Sequence, residues 1–131
     1  MKANDSSTNL SLLFDSVPRG STPAKIGSAY AADILAYSAD NIRKRNQSEV
    51  VPFLGHLHLS LVYDNGDKWA FELSNFGTRS NNFAWARGYD AVRGWEAWVK
   101  NETLHSETFE LVGVTVALGR EYIGTLSIIA M

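Results

Sequence analysis

Residues 56–74 read His56-Leu57-His58-Leu59-Ser60-Leu61-Val62-Tyr63, then Asp64-Asn65-Gly66, then Asp67-Lys68-Trp69-Ala70-Phe71-Glu72-Leu73-Ser74. Two runs of period-two alternation joined by a Gly-bearing turn predict a β-hairpin. The register follows from the apolar set. A two-residue type I′ turn on Asn65-Gly66 would put Leu61 opposite Ala70 and Leu59 opposite Glu72, mixing core and solvent residues on one face. A three-residue loop, with Gly66 in the left-handed bulge position, pairs Leu61 with Trp69, Leu59 with Phe71 and Leu57 with Leu73. Every apolar side chain then meets an apolar partner. The other face carries Val62 by Lys68, Ser60 by Ala70, His58 by Glu72 and His56 by Ser74.

Outward from this hairpin the elements alternate in type. Leu10, Leu13, Phe14 and Val17 recur at helical spacing behind Ser7 and Thr8, which predicts a short amphipathic helix; Leu10, Leu12 and Phe14 also alternate as a strand does. Pro18-Arg19-Gly20-Ser21 breaks that element, and Thr22-Pro23 suits an N-cap followed by proline at the first helical position. A long helix from Pro23 to about Asn46 is expected, with Ile26, Tyr30, Ile34 and Tyr37 as its buried stripe. Its basic end, Arg43-Lys44-Arg45, matches the preference for cations at a helix C-terminus. Pro52 cannot donate to a ladder, so the first hairpin strand starts after it or lies at an edge.

The segment 78–82 reads as a loop and cap, and a second helix should run from Phe83 to about Asn101. It is rich in aromatics. Trp85, Tyr89, Val92 and Val99 form one stripe and Ala84, Gly88, Ala91, Trp95 and Trp98 its neighbour, which reads as cover for a sheet. Arg87, Asp90, Arg93, Glu96 and Lys100 make a charged arc, read as the solvated face.

Residues 108–131 form a second hairpin. Gly119-Arg120 suits a two-residue type II′ turn closing Leu118 on Glu121, which would place Val116 by Ile123, Val114 by Thr125 and Val112 by Ser127. Both of its faces are largely apolar. Such strands call for a second cover, which the N-terminal helix or a symmetry mate can supply, and the symmetry mate is favoured. Val112, Val114, Val116, Ile123 and Ile129 are therefore the expected interface of a homo-oligomer. The fold expected is α+β and two-layered: a mainly antiparallel four-stranded sheet made of two hairpins, with a long N-terminal helix and the aromatic-rich helix packed on it.

Composition bounds function. The chain has 131 residues, 45% of them hydrophobic, with a formal charge of -2. One globular domain over residues 1–131 is expected, with 1–7 disordered. The mixed charge gives no electrostatic reason to expect nucleic acid or an anionic membrane as partner. There is no cysteine, so disulfides, thiolate metal sites and cysteine nucleophiles are excluded. No apolar leader or membrane-spanning run is present, and a cytoplasmic protein is expected. The Asn-x-Ser/Thr matches at Asn4, Asn9, Asn46 and Asn101 are then fortuitous.

Neither a glycine-rich phosphate loop nor a dinucleotide fingerprint nor a nucleophile elbow occurs. The one place for chemistry is the polar face of the first hairpin. His-x-His in a strand aims both imidazoles to one side, and Glu72 would complete a two-histidine, one-carboxylate set for a metal, or orient His58 as a base with His56 or His105 assisting. The bland alternative is a solvated sheet face with a cross-strand pair worth at most about 1 kcal/mol. No cofactor is expected, and the favoured reading is a non-catalytic interaction protein that binds, inhibits or assembles with another protein or itself. A small enzyme or ligand-binding protein using His58, Glu72 and His56 is the alternative.

Overall fold

The first hairpin pairs as its alternation requires. Strand β4 (His56–Val62) and strand β5 (Lys68–Asn75) are antiparallel, with Leu57 opposite Leu73, His58 opposite Glu72, Leu59 opposite Phe71 and Leu61 opposite Trp69. The Tyr63 N–H donates to the Asp67 carbonyl at 2.8 Å and the Gly66 N–H to the Tyr63 carbonyl at 2.8 Å, the bonding of a three-residue bulged loop. Gly66 has φ of 91°, a conformation that costs a residue with a Cβ.

The structure, a computed structural model, describes residues 2–5, 10–14, 25–52, 56–63, 66–75, 83–102, 108–110 and 113–130, with side chains for 10–13, 30–52, 57–63, 66–75, 83–101 and 114–129. In chain order the other elements are strands β1 (Lys2–Asp5), β2 (Leu10–Phe14) and β3 (Lys25–Gly27) and helix α1 (Ser28–Arg43), all before β4. After β5 come helix α2 (Trp85–Glu102) and strands β6 (Thr108–Glu110), β7 (Gly113–Leu118) and β8 (Glu121–Ala130). Six strands form an antiparallel sheet in the order β1-β2-β7-β8-β5-β4, and β3 pairs with β6 separately.

The architecture is α+β as expected, but the sheet is wider than four strands. The two hairpins lie side by side through β8 and β5, and β2 and β1 extend the sheet beyond β7. Residues 10–14, expected as a helix, are a strand: Leu10 and Leu12 are buried and pair with Leu118 and Val116. Tertiary pairing with an apolar neighbour overrides the helical spacing there. Residues 2–5, expected to be disordered, pair with β2. The long helix is shorter than 23–46, because Lys25–Gly27 is taken up by pairing with Thr108–Glu110. The expected breaks and caps at 18–23 and 78–82 lie outside the described residues.

α1 buries Ala31, Ile34, Leu35, Ser38, Ala39 and Ile42, spaced three and four apart, so its inward stripe is rotated away from the expected one and Tyr37 is exposed. Each fully buried aliphatic side chain here contributes roughly 1.5–3 kcal/mol. The helix ends at Arg43, where Gln47 folds back and its Nε2 donates to the carbonyls of Ile42 (2.9 Å) and Arg45 (2.8 Å), satisfying groups that the last turn leaves open. The following loop holds the start of α2. The N–H groups of Trp85 and Ala86 donate to the carbonyls of Glu49 and Gln47, Val51 donates to Phe83, and the Arg45 guanidinium lies 4.6 Å from the Trp85 ring centre.

α2 buries Trp85, Gly88, Ala91, Val92, Trp95 and Val99 as the aromatic pattern implies. Its charged arc is not wholly solvated, however. Glu96 is 4% exposed and is met by Arg93 Nη1 at 2.7 Å and Lys100 Nζ at 3.6 Å. Such a buried carboxylate is tolerable because two cations one turn away on either side satisfy it.

The second hairpin turns at Gly119, with φ of 62°, and closes Leu118 on Glu121 as expected. Beyond Ala117 and Tyr122 its register departs from expectation. Val116 faces Gly124, Val114 faces Leu126 and Gly113 faces Ser127, leaving Ile123 as the extra residue of a bulge. This register sets Gly124 beneath Phe83. A Cβ on Gly124 would lie 2.2 Å from Phe83 Cε2 and 2.4 Å from the Ser74 carbonyl oxygen, so only glycine fits beneath that fully buried ring.

Candidate functional site

The pairing gives the sheet two unlike faces. Leu10, Leu12, Val114, Val116, Leu126, Ile128, Phe71 and Leu73 share one face and join α1 and α2 in a single core. No helix among the described residues is packed on the opposite face. Across it run the rows His58–Glu72–Ser127, Ser60–Ala70–Ile129 and Ser74–Thr125–Thr115.

On this face His58 Nδ1 lies 3.0 Å from Glu72 Oε1. The contact predicted from register alone is formed, by side chains 41% and 30% exposed. A carboxylate that fixes one ring nitrogen leaves the other available as a base or hydrogen-bond partner. The surroundings supply little else. Ser60 stands two residues along the strand and Ser127 lies beyond Glu72, so among the described residues the register sets no hydroxyl directly beside the imidazole. The backbone of His56 pairs with Ser74 as expected, its side chain being outside those described, and His105 also lies outside the described residues. Among the described residues no three His, Asp or Glu side chains gather as a metal-binding group.

The expected interface residues divide. Val114, Val116 and Ile123 are fully buried in the core beneath the helices and cannot present to a partner. The second hairpin is apolar on one face because helices cover it and on the other only in part. Ile129 alone of the five is shown at the surface, 39% exposed, while Val112 lies outside the described residues. The large apolar side chains that the sequence did not single out are Val62, 68% exposed, and Tyr122, 55% exposed, both on the helix-free face. Val62 had a signal, since it faces Lys68 in the derived register; Tyr122 had none until the bulge was placed.

At the end of β4 the Tyr30 and Tyr63 rings stack, 4.0 Å between centres and 22° between planes. The Tyr63 hydroxyl is buried beside the Asp33 carboxylate. Burial first, then the Asp33 carboxylate and Tyr30, raise its pKa above the usual 10. On the helical layer, Ala36, Ala39, Asp40, Arg43, Tyr89 and Arg93 line a shallow groove of about 160 Å³. Its arginines are engaged, Arg43 with Asp40 and Arg93 with Glu96, each at 2.7 Å.

No helix among the described residues is long and apolar enough to cross a membrane. Compared with known proteins, the chain matches no family model, no curated protein and no solved structure.

Proposed function

We propose that this is a non-catalytic interaction protein whose contact surface is the helix-free face of its sheet. The observation that carries the reading is the exposure of Val62, Tyr122 and Ile129 on that face. They stand among Ser60, Ser74, Thr115, Thr125 and Ser127, an arrangement of apolar anchors and short hydroxyl side chains. A broad pleated surface of this kind suits a protein partner, whereas small ligands are held in concave sites of some 300 Å³ or more. The His58–Glu72 pair fits the same reading as part of the polar surround, its two side chains part-exposed on that face.

The test is cross-linking mass spectrometry on the tagged protein in its own cells, with Ile129→Asp beside the wild type. The substitution is at a surface position, so the fold should persist by circular dichroism while intermolecular cross-links from β8 and β5 are lost. An unchanged set of cross-links in Ile129→Asp, or a set confined to the helical layer, rejects the reading. His58→Ala and Glu72→Ala should leave the cross-links in place.

A further inference from the structure

We infer that β4 is the pairing edge for a second copy of this chain, joining two six-stranded sheets into one. The inference goes beyond the interaction reading above: it concerns the edge of the sheet, where that reading concerns its open face. Strand β4 is seven residues long and ends the sheet, with no described strand on its outer side. The hydrogen bond from Tyr63 to Asp67 sets the phase of the ladder: Leu57, Leu59 and Leu61 bond inward to β5, and His56, His58, Ser60 and Val62 aim their N–H and C=O groups outward. Free edges are ordinarily blunted by proline, glycine bulges, lysine or short length. The opposite edge is: β1 has four residues and carries Lys2 and Asp5. β4 contains none of these devices.

A second copy is the occupant because the strand is complementary to itself. A two-fold axis at Leu59, normal to the sheet, sets Leu59 opposite its own counterpart and Leu57 opposite Leu61 on the helical side. On the other side His58 meets Ser60, and the backbone of His56 falls opposite that of Val62. No like charges meet, apolar faces apolar along the core side, and roughly eight outward backbone groups in each copy find partners. His58 Nδ1 is held by Glu72, so the ring's other nitrogen is left for the Ser60 hydroxyl of the second copy. The exposed side chain of Val62 borders the seam on the helix-free side.

Sedimentation velocity across the micromolar range should show a reversible dimer. Val62→Lys and Ser60→Pro should abolish it while far-ultraviolet dichroism is retained, because neither changes a group bonded to β5. Since the chain has no cysteine, Leu59→Cys gives a register test. Directly opposed residues of a non-hydrogen-bonded pair have Cα atoms about 4.5 Å apart, within disulfide reach, so mild oxidation should yield a covalent dimer, and Tyr122→Cys should not. A strict monomer overturns the inference, as does a dimer that survives Val62→Lys and fails to cross-link at position 59. A dimer broken only by Ile129→Asp also overturns it. That result would locate self-association on the open face and leave the interaction reading standing, whereas unchanged cellular cross-links in Ile129→Asp would reject the latter alone.

Discussion

Gly124→Ala should destabilise the protein markedly, although alanine is ordinarily the better strand residue. Replacing an interior glycine by alanine gains roughly 0.5–1 kcal/mol through the unfolded chain. Here the new methyl would lie 2.2 and 2.5 Å from two atoms of the Phe83 ring and 2.4 Å from the Ser74 carbonyl oxygen. A ring locked in the core and a backbone oxygen in the β5–β8 ladder are both stiff, so overpacking should reach the upper part of its usual 1–3 kcal/mol range or exceed it. The net loss is about 2–3 kcal/mol, or roughly 6–12 °C in Tm for a chain of this size.

Urea denaturation followed by the four tryptophans measures it, with Gly66→Ala as the comparison. At Gly66 the Cβ would meet nothing within 4 Å, and only the φ of 91° is penalised, for about 1 kcal/mol. Phe83→Ala should itself cost about 3–5 kcal/mol. In that background Gly124→Ala loses its ring clash and keeps only the Ser74 contact, so the two changes should be non-additive by about 1 kcal/mol or more. Gly124→Ala that is neutral or stabilising, or a cycle that closes additively, would refute this account of the packing at Gly124.

Three further outcomes are expected. Tyr63→Phe removes a buried hydroxyl beside the Asp33 carboxylate and should change stability by no more than about 1 kcal/mol at pH 7. Because the folded-state pKa of Tyr63 is raised above 10, its contribution is intact below pH 10 and lost as pH climbs from there through the folded value; urea midpoints from neutral to alkaline pH should fall less steeply in the Phe variant. Asn75→Ala removes the Nδ2 donor, 2.7 Å from the buried Val51 carbonyl, and should cost about 1–3 kcal/mol by urea denaturation, whereas an unchanged midpoint would show that carbonyl to be satisfied otherwise. A double-mutant cycle of His58→Ala and Glu72→Ala should return a coupling below about 1 kcal/mol, and a larger value would contradict the solvent-screened geometry of the pair.

The contrast between the hairpins explains what was readable in advance. In residues 56–74 apolar and polar side chains alternate strictly, so a one-residue slip is visible as an error and the loop geometry follows. In residues 113–130 apolar residues occupy both faces, and no slip offends the pattern. The observed register sets Gly124 beneath Phe83, about 40 residues earlier in the chain, and the only local trace of that packing is a glycine inside a strand. Strand β2 was similarly undecidable from local spacing, because Leu10, Leu12, Leu13 and Phe14 satisfy both periods until Val116 and Leu118 are placed beside them. The burial of Glu96 depends on packing that no helical wheel contains.

The same reasoning separates the parts of the candidate site. His58 and Glu72 were brought together by register, which is a local property of one hairpin, and their contact was therefore legible. The interface was assigned to Val114, Val116 and Ile123 on apolarity alone, yet apolarity does not distinguish a side chain covered by its own helices from one covered by a partner. That distinction needs the layer order: once α1 and α2 lie over Leu73, Val114 and Leu126, those residues are spent in the core, and the exposed apolar groups are the ones on the far face and at the β4 end. Edge position has the same character. A strand reads identically from its own residues whether it is central or terminal, but its unprotected backbone has consequences only at the end of the sheet, where β4 lies and the charged, four-residue β1 is its counterpart.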